Sequence, residues 1–301
     1  MIADNTKLKT LIFNKQGNYR MKSLRALACF ILLSPSLGNI AMADNAASIM
    51  QQVYEAKRVD DQIATLRFRF IDAGKPEKKA IYTMVWKDMH GKDGYDNKAI
   101  FFTESPPDKR GIAYLGWLRP SGSNERDDEW IYLPELRSTR RIAHRDHAHS
   151  HDGDEFGNSL LSREHLEPRP PQLDDHKIIG EQELNGQLHY LISSTPKQIQ
   201  HMLHSEHGGT SGSGKRINWV DKNKLRLNRI QFFAKHDKQQ LDMQIQWQKQ
   251  QGYWIWKAVE ASKPNSNKKT LLEFSDIKIN TKLKDRSFHK RILEKGVNYL
   301  K

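Results

Sequence analysis

One cysteine, Cys29, is the whole thiol content of 301 residues. It sits in a short apolar stretch near the start, so a chain cut after Ala43 would carry none. Such a chain can form no disulfide and offers no thiol nucleophile, and its core alone must hold it together. Long apolar runs are also missing. Ala26–Leu33 (ALACFILL) falls far short of the roughly 20 residues that cross a bilayer. The signatures of common catalytic centres are absent too: no GxSxG elbow, no P-loop, no GxGxxG and no HExxH. The adjacent carboxylates Asp127-Asp128 and Asp174-Asp175 are of the kind that decorates turns. No nucleophile, base or metal set is singled out, so the expectation is a protein that is not an enzyme and needs no cofactor. No internal repeat is visible.

What the first segment does contain is an export pattern. Lys22 and Arg25 precede the apolar run, Pro35 and Gly38 follow it, and Ala41-Met42-Ala43 supplies small residues where signal peptidase reads. Cleavage after Ala43 is expected, with initiation at Met21 and residues 1–20 as an upstream extension. Cys29 does not sit in a lipobox: Ala26 occupies the position that needs a larger aliphatic residue. The expected product is a periplasmic single domain over 44–301, with residues 1–43 as extension plus signal peptide.

The chain has 49 Lys and Arg against 36 Asp and Glu. Residues 1–43 hold six of those cations and one acid, Asp4, so a smaller positive excess remains after cleavage. The basic residues are scattered among acids instead of forming a stripe. Together with export, this argues against nucleic acid and is compatible with transient contact with a membrane.

All seven tryptophans lie after Ala43. A helix is expected over Asn45–Asp60, where Ile49, Val53, Ala56 and Val59 recur at helical spacing. Alternation of period two then takes over. Leu66, Phe68 and Phe70 alternate with Arg67 and Arg69, and Leu241, Met243, Ile245 and Trp247 alternate with polar residues. Such strands have one buried and one wet face, which favours antiparallel meanders. Asn185-Gly186 and Gln251-Gly252 fit two-residue hairpins. About eleven strands and a short helix over Arg286–Leu293 are expected. Polar insertions stand at His144–Asp154 (HRDHAHSHDGD) and Gln198–Gly214, and Phe156–Leu166 is read as starting a short helix.

The first insertion carries His144, His147, His149 and His151, residue types that ligate zinc, copper or nickel. His201, His204 and His207 form a second group. A structural metal site needs ligands fixed by surrounding groups, and these segments lack the periodicity of a fixed element. A solvated histidine-rich loop is the plainer reading, with a metal-binding envelope protein as the alternative function.

With so little helix to cover so much sheet, the sheet must close or curve, and a curved sheet encloses an apolar cavity. Burial of each ligand CH2 stabilises by about 0.8 kcal/mol, so a carrier needs area and no reactive group. The residues expected to line the cavity are Met84, Trp86, Phe102, Trp117, Trp130, Tyr132, Met243, Ile245, Trp247, Trp254 and Trp256.

Several stretches carry a family resemblance. Asp128–Pro134 (DEWIYLP) with Arg140-Arg141-Ile142, Phe156–Leu166 (FGNSLLSREHL), Ile217–Asp221 (INWVD) and Lys269–Asn280 (KTLLEFSDIKIN) with Asp285 and Phe288 resemble the LolA-like, outer-membrane lipoprotein-sorting proteins. The likeness is to the branch associated with RND/MMPL-type exporters. Gly157, Leu161 and Arg163 depart from that branch's pattern. The resemblance implies a mainly β (α+β) fold, a curved antiparallel half-barrel with helices covering its concave face. It also implies binding of lipid or lipoprotein acyl chains between two membranes, with an exporter as partner. A scaffold that binds no ligand, with a filled dry core, is the remaining alternative.

Overall fold

The structure is a computed structural model that describes residues 37–56, 58–120, 123, 125–142, 159–197, 214–234 and 237–300. Gly38–Lys301 forms one compact unit. Residues 1–36 and the histidine-bearing insertion lie outside the described residues, as does Gln198–Gly214 apart from Gly214.

Helix α1 (Leu37–Tyr54) is followed by six strands: β1 (Asp61–Asp72), β2 (Lys78–Asp88), β3 (Asn97–Ser105), β4 (Ala113–Leu118), β5 (Asp128–Leu133) and β6 (Ser138–Arg141). A short helix, α2 (Arg163–Leu166), precedes seven more: β7 (Asp174–Leu184), β8 (Gln187–Pro196), β9 (Arg216–Asp221), β10 (Leu227–Phe233), β11 (Gln239–Gln250), β12 (Tyr253–Ser262) and β13 (Lys268–Ile279). Helix α3 (Arg291–Lys295) lies near the C-terminus. The expected "about eleven" strands become thirteen among the described residues. The expected first helix is displaced: it starts at Leu37 and stops at Tyr54, because Val59 packs instead against Ile255 and Ile279.

All thirteen strands form one open sheet, in the order β6-β5-β4-β3-β2-β1-β13-β12-β11-β10-β9-β8-β7. The described pairings are antiparallel throughout. Two meanders are therefore fused where β1 meets β13. The expected hairpins are present: Asn185-Gly186 (φ 53° and 74°) and Gln251-Gly252 (φ 49° and 82°) are both left-handed. They set Leu184 opposite Gln187 and Gln250 opposite Tyr253, the two-residue loop whose twist matches its strands.

Residues directly opposite on neighbouring strands share a face, so the register sorts the core. One face carries Phe68, Tyr82, Ile230, Phe232, Met243, Val259 and Leu272 in one buried cluster. Ile192 and Val220 extend it beneath Ala46 and Ile49 of α1. The other face carries Val85, Ile100, Leu115 and Trp130, which pack against Phe288, Ile292 and Leu293. The covering is thus split: α1 and the α2 segment on the first face, α3 on the second. Strand β3 is buried on both sides, with Ala99 and Thr103 on one and Ile100 and Phe102 on the other.

Candidate functional site

The chain must pass from β6 at one edge of the sheet to β7 at the other. Residues 159–173 make the last part of that crossing as a strap over the first face, hereafter the strap face. Leu161 is fully buried among that face's apolar side chains, with Leu160 and Leu166 packed beside it. The Leu160 N–H donates to Thr270 Oγ1 of β13 (2.9 Å). A four-residue helix cannot hold itself, and α2 is stabilised locally. The N–H of Leu161 donates to Ser159 Oγ (2.9 Å) and the N–H of Ser162 to His165 Nδ1 (3.0 Å). Because Nδ1 accepts that bond, it also accepts from Ser162 Oγ (2.8 Å), and the neutral ring carries its proton on Nε2.

His165 lies edge-on to Phe232, ring centroids 4.7 Å apart. Burial pushes its pKa down to about 4, and the positive charge of Arg216 acts in the same direction. Both effects disfavour the imidazolium. Beyond α2 the strap is tied to the sheet edge. Arg169 Nε donates to Asp174 Oδ1 (3.1 Å), and Arg216 from β9 pairs with the same carboxylate. His176 bridges Ser194 Oγ (2.8 Å) and the Pro171 carbonyl (2.9 Å), and Asn218 Nδ2 donates to Ser194 Oγ (2.8 Å). Burial lowers the pKa of His176 as well.

The eleven residues expected to line one cavity divide between the two faces. Met84, Met243, Ile245 and Trp247 lie on the strap face or pack against its cluster. A bulge between Gln246 and Trp247 sets Trp256 opposite Trp247. Their rings meet edge to face at 6.2 Å, and Trp256 continues to Phe274 at 6.2 Å. Trp86 packs beside Val59, Ile255 and Ile279. Trp254 lies at the end of this row, under the guanidinium of Arg226, 4.1 Å from the ring centroid. Phe102, Trp117, Trp130 and Tyr132 belong to the opposite face. There Trp117 Nε1 donates to the Phe288 carbonyl (2.9 Å) and its ring meets Trp130 at 5.1 Å. Those four belong to the core beneath α3.

The residues that do sit with Met243 and Ile245 include Phe68, Tyr82, Val259 and Leu272. The alternation around Phe68 was visible in the sequence; the plugging role of Leu161 was not, since one leucine in a polar stretch has no periodic signal. His144, His147, His149 and His151 lie outside the described residues. Among the described residues no group of three or more His, Cys, Asp or Glu is placed to hold a metal ion. No helix among them is long and apolar enough to cross a membrane.

Known structures share this architecture. A domain from Vibrio parahaemolyticus named for outer membrane lipoprotein sorting is 21% identical with a TM-score of 0.67, over 84% of this chain and 99% of its own. A DUF1329 family protein from Desulfovibrio piger is 22% identical with a TM-score of 0.68, over 82% of this chain and 97% of its own. A LolA superfamily protein from Nitrosomonas europaea is 15% identical with a TM-score of 0.56, over 83% and 98%. A search of curated protein sequences finds no match. A family model described as "Uncharacterized protein" matches residues 95–295, across both meanders. The chain belongs to that family of uncharacterized proteins, and its open antiparallel sheet has the LolA-like, curved half-barrel fold.

Proposed function

We propose that the protein is a periplasmic carrier or binding protein for the acyl chains of a lipid or lipoprotein, acting without catalysis and serving an RND/MMPL-type exporter. One observation carries the reading. The apolar strap face of a large open sheet is covered at its centre by a short internal strap, with Leu161 inserted into the cluster, instead of by a second layer. An acyl chain that displaced this strap would meet Phe68, Met243, Val259 and Leu272 in its place. Burial at about 25 cal/mol per Å2 of apolar surface is enough to retain such a chain without reactive groups. The names of the structural neighbours, lipoprotein sorting and LolA superfamily, support the same class of ligand. The export pattern of residues 21–43 supports the compartment.

Native mass spectrometry of protein purified from the periplasm, paired with titration of a fluorescent fatty acid, tests the reading. Copurified lipid or saturable fatty-acid binding is expected; absence of both ends it. The scaffold reading has one observation in its favour, because Leu161 leaves the centre of the strap face filled. It differs in expecting that loosening the strap lowers stability and gains no ligand.

A further inference from the structure

A groove of about 810 Å3 runs along β11, β12 and β13 to a rim of the sheet, where two hairpin turns meet Trp247 and Trp254. The turns are the β7–β8 tip around Asn185 and the β9–β10 turn from Asp221 to Arg226. Arg226 is the unusual member. Its guanidinium stacks over Trp254 at 4.1 Å and stands 5.9 Å from the ring of Trp247. Trp247 is fixed there, because its Nε1 donates to the carbonyl of Leu227, the residue after Arg226 (2.9 Å). Arg226 Nη1 is nevertheless buried with no hydrogen-bond partner among the described residues. Asp221 is near enough to act on this charge, but a buried guanidinium N–H left without an acceptor is costly, which makes it an attractor for an anion's oxygen.

Three acids line the groove, Asp221, Glu260 and Glu273, and the first two are engaged. Asp221 Oδ1 accepts the backbone N–H groups of Asn223 (2.8 Å) and Lys224 (2.9 Å), closing the turn. Glu260, farther along the groove, pairs with Lys269 (3.0 Å). The cations are not occupied in the same way. Among the described residues Lys224 Nζ reaches the side-chain amide of Gln187 (3.4 Å) and the ring of Trp254 (5.8 Å), and Lys257 also lines the groove. The groove therefore offers one planar fork, Arg226, with Lys224 beside it on Trp254 and Lys257 farther along the lining. Along the strands the groove is lined by Arg67, Gln244, Gln246, Glu260 and Glu273, which alternate with the strap-face cluster and so face the other way.

We propose that this groove binds a phosphate-class oxyanion at Arg226, Lys224 and Lys257. The guanidinium supplies a paired donor edge, which suits two oxygens of one phosphate, and the lysines add point charge. The phosphate is either a free ion or one borne by a lipid headgroup, and the two arms of the titration below tell these sources apart. A headgroup source would rest on the carrier reading, whereas the anion site rests on the groove alone.

Trp247 and Trp254 make the site self-reporting, so the full chain is titrated by tryptophan fluorescence. One arm uses inorganic phosphate; the other uses dihexanoyl phosphatidylglycerol below its micelle concentration. At least one probe is expected to give a saturable change that weakens with added salt. Arg226→Gln should lower affinity about tenfold or more, the loss of a charge-assisted pair. Tighter binding of the short-chain lipid assigns the anion to a headgroup, and equal binding of phosphate assigns it to a free oxyanion; both uphold the site. If Arg226→Gln does not fold, the double variant Lys224→Gln, Lys257→Gln replaces it, with a loss of about threefold or more expected for two partly solvated charges. No saturable response to either probe, or unchanged affinity in a folded variant, overturns the proposal. A fatty acid that fails to bind while phosphate binds would instead remove the carrier reading and leave the groove.

Discussion

The two covers of the sheet are both apolar, yet they are fastened differently. The C-terminal cover is bonded to the strands beneath it. Asp61 of β1 accepts the Thr281 N–H and hydroxyl (both 2.7 Å) and the Leu283 N–H (3.0 Å). Lys87 of β2 donates to the Leu283 carbonyl (2.6 Å), and Trp117 of β4 to Phe288. The strap's middle reaches the sheet through the Leu160 bond to Thr270 and apolar contact. The bonds of Ser159, Ser162 and His165 turn back on the strap itself. Moving the C-terminal cover strands buried polar groups on the sheet, each loss worth about 1–3 kcal/mol. Moving the strap centre leaves its own bonds largely intact. One cover is bonded into the sheet; the centre of the other rests on it mainly through apolar contact.

The largest expected effect tests the core assignment. Phe288→Ala empties a buried site between Val85, Ile100 and Leu115 and should cost about 3–5 kcal/mol, read as a lowered urea midpoint. It should leave fatty-acid affinity per folded molecule unchanged. Improved binding would mean that the C-terminal face, with Trp117 and Trp130, is the ligand side after all.

His165 gives the next effect, and it is pH-dependent. Its folded pKa is about 4 against an ordinary 6.5, so between those values the unfolded chain binds more protons. The neutral ring's contribution is therefore fully present above about pH 6.5 and lost as pH falls towards 4, a change of about 3 kcal/mol. Its charged neighbour is Arg216, and the ring packs against Ser162 and Phe232. Urea titrations at pH 7 and pH 4 should show this loss in the parent. In His165→Asn, whose oxygen can accept the Ser162 N–H, most of it should vanish. An unchanged pH dependence would mean that protonation does not act on the strap.

Leu161→Ala should cost about 2 kcal/mol, at the low end for a buried leucine because a strap can settle into the space. Its sharper readout is binding. If the strap competes with an acyl chain, fatty-acid affinity should rise by roughly the same free energy, up to about tenfold per 1.4 kcal/mol. Lower stability without any gain in binding is the outcome that favours a scaffold.

Much of the sheet was legible because period two needs only local sequence. The Phe68 and Met243 alternations and both Gly-containing hairpins are examples. Strand β6 (STRR) has no apolar residue to reveal a face, and its place comes from pairing Tyr132 with Thr139. Which face a residue joins was harder to read. Phe101 and Phe102 are adjacent and point to opposite sides, so alternation alone cannot say which accompanies Met84; the register pairs Met84 with Phe101. Phe102 lies on the other side of the sheet, together with Trp117, Trp130 and Tyr132. Trp256 would have been lost the same way without the bulge at Gln246. The fusion of β1 with β13, and hence a strap crossing the sheet, is a long-range event that no local window contains.

The smallest effect probes how firmly the C-terminal cover is held at its start. Asp285 accepts from Lys87 (2.7 Å) and from Lys92 (2.6 Å), and these bonds, Lys87 first, hold its pKa down at about 2. A depressed carboxylate contributes stability above its ordinary value of about 3.8, and that contribution fades as pH falls towards 2. The group is over a third exposed, at 38%, so solvent screening reduces the contribution to below about 1 kcal/mol. Asp285→Asn should therefore lower stability only slightly at pH 7, less still in 1 M salt, and least once pH has fallen through about 2. Lys87 would keep its bond to the Leu283 carbonyl, so the cover should stay closed. A loss of several kcal/mol, or hydrogen exchange showing α3 released, would mean that the C-terminal cover hangs on its charges. It would then resemble the strap, and the contrast between the two faces would fall.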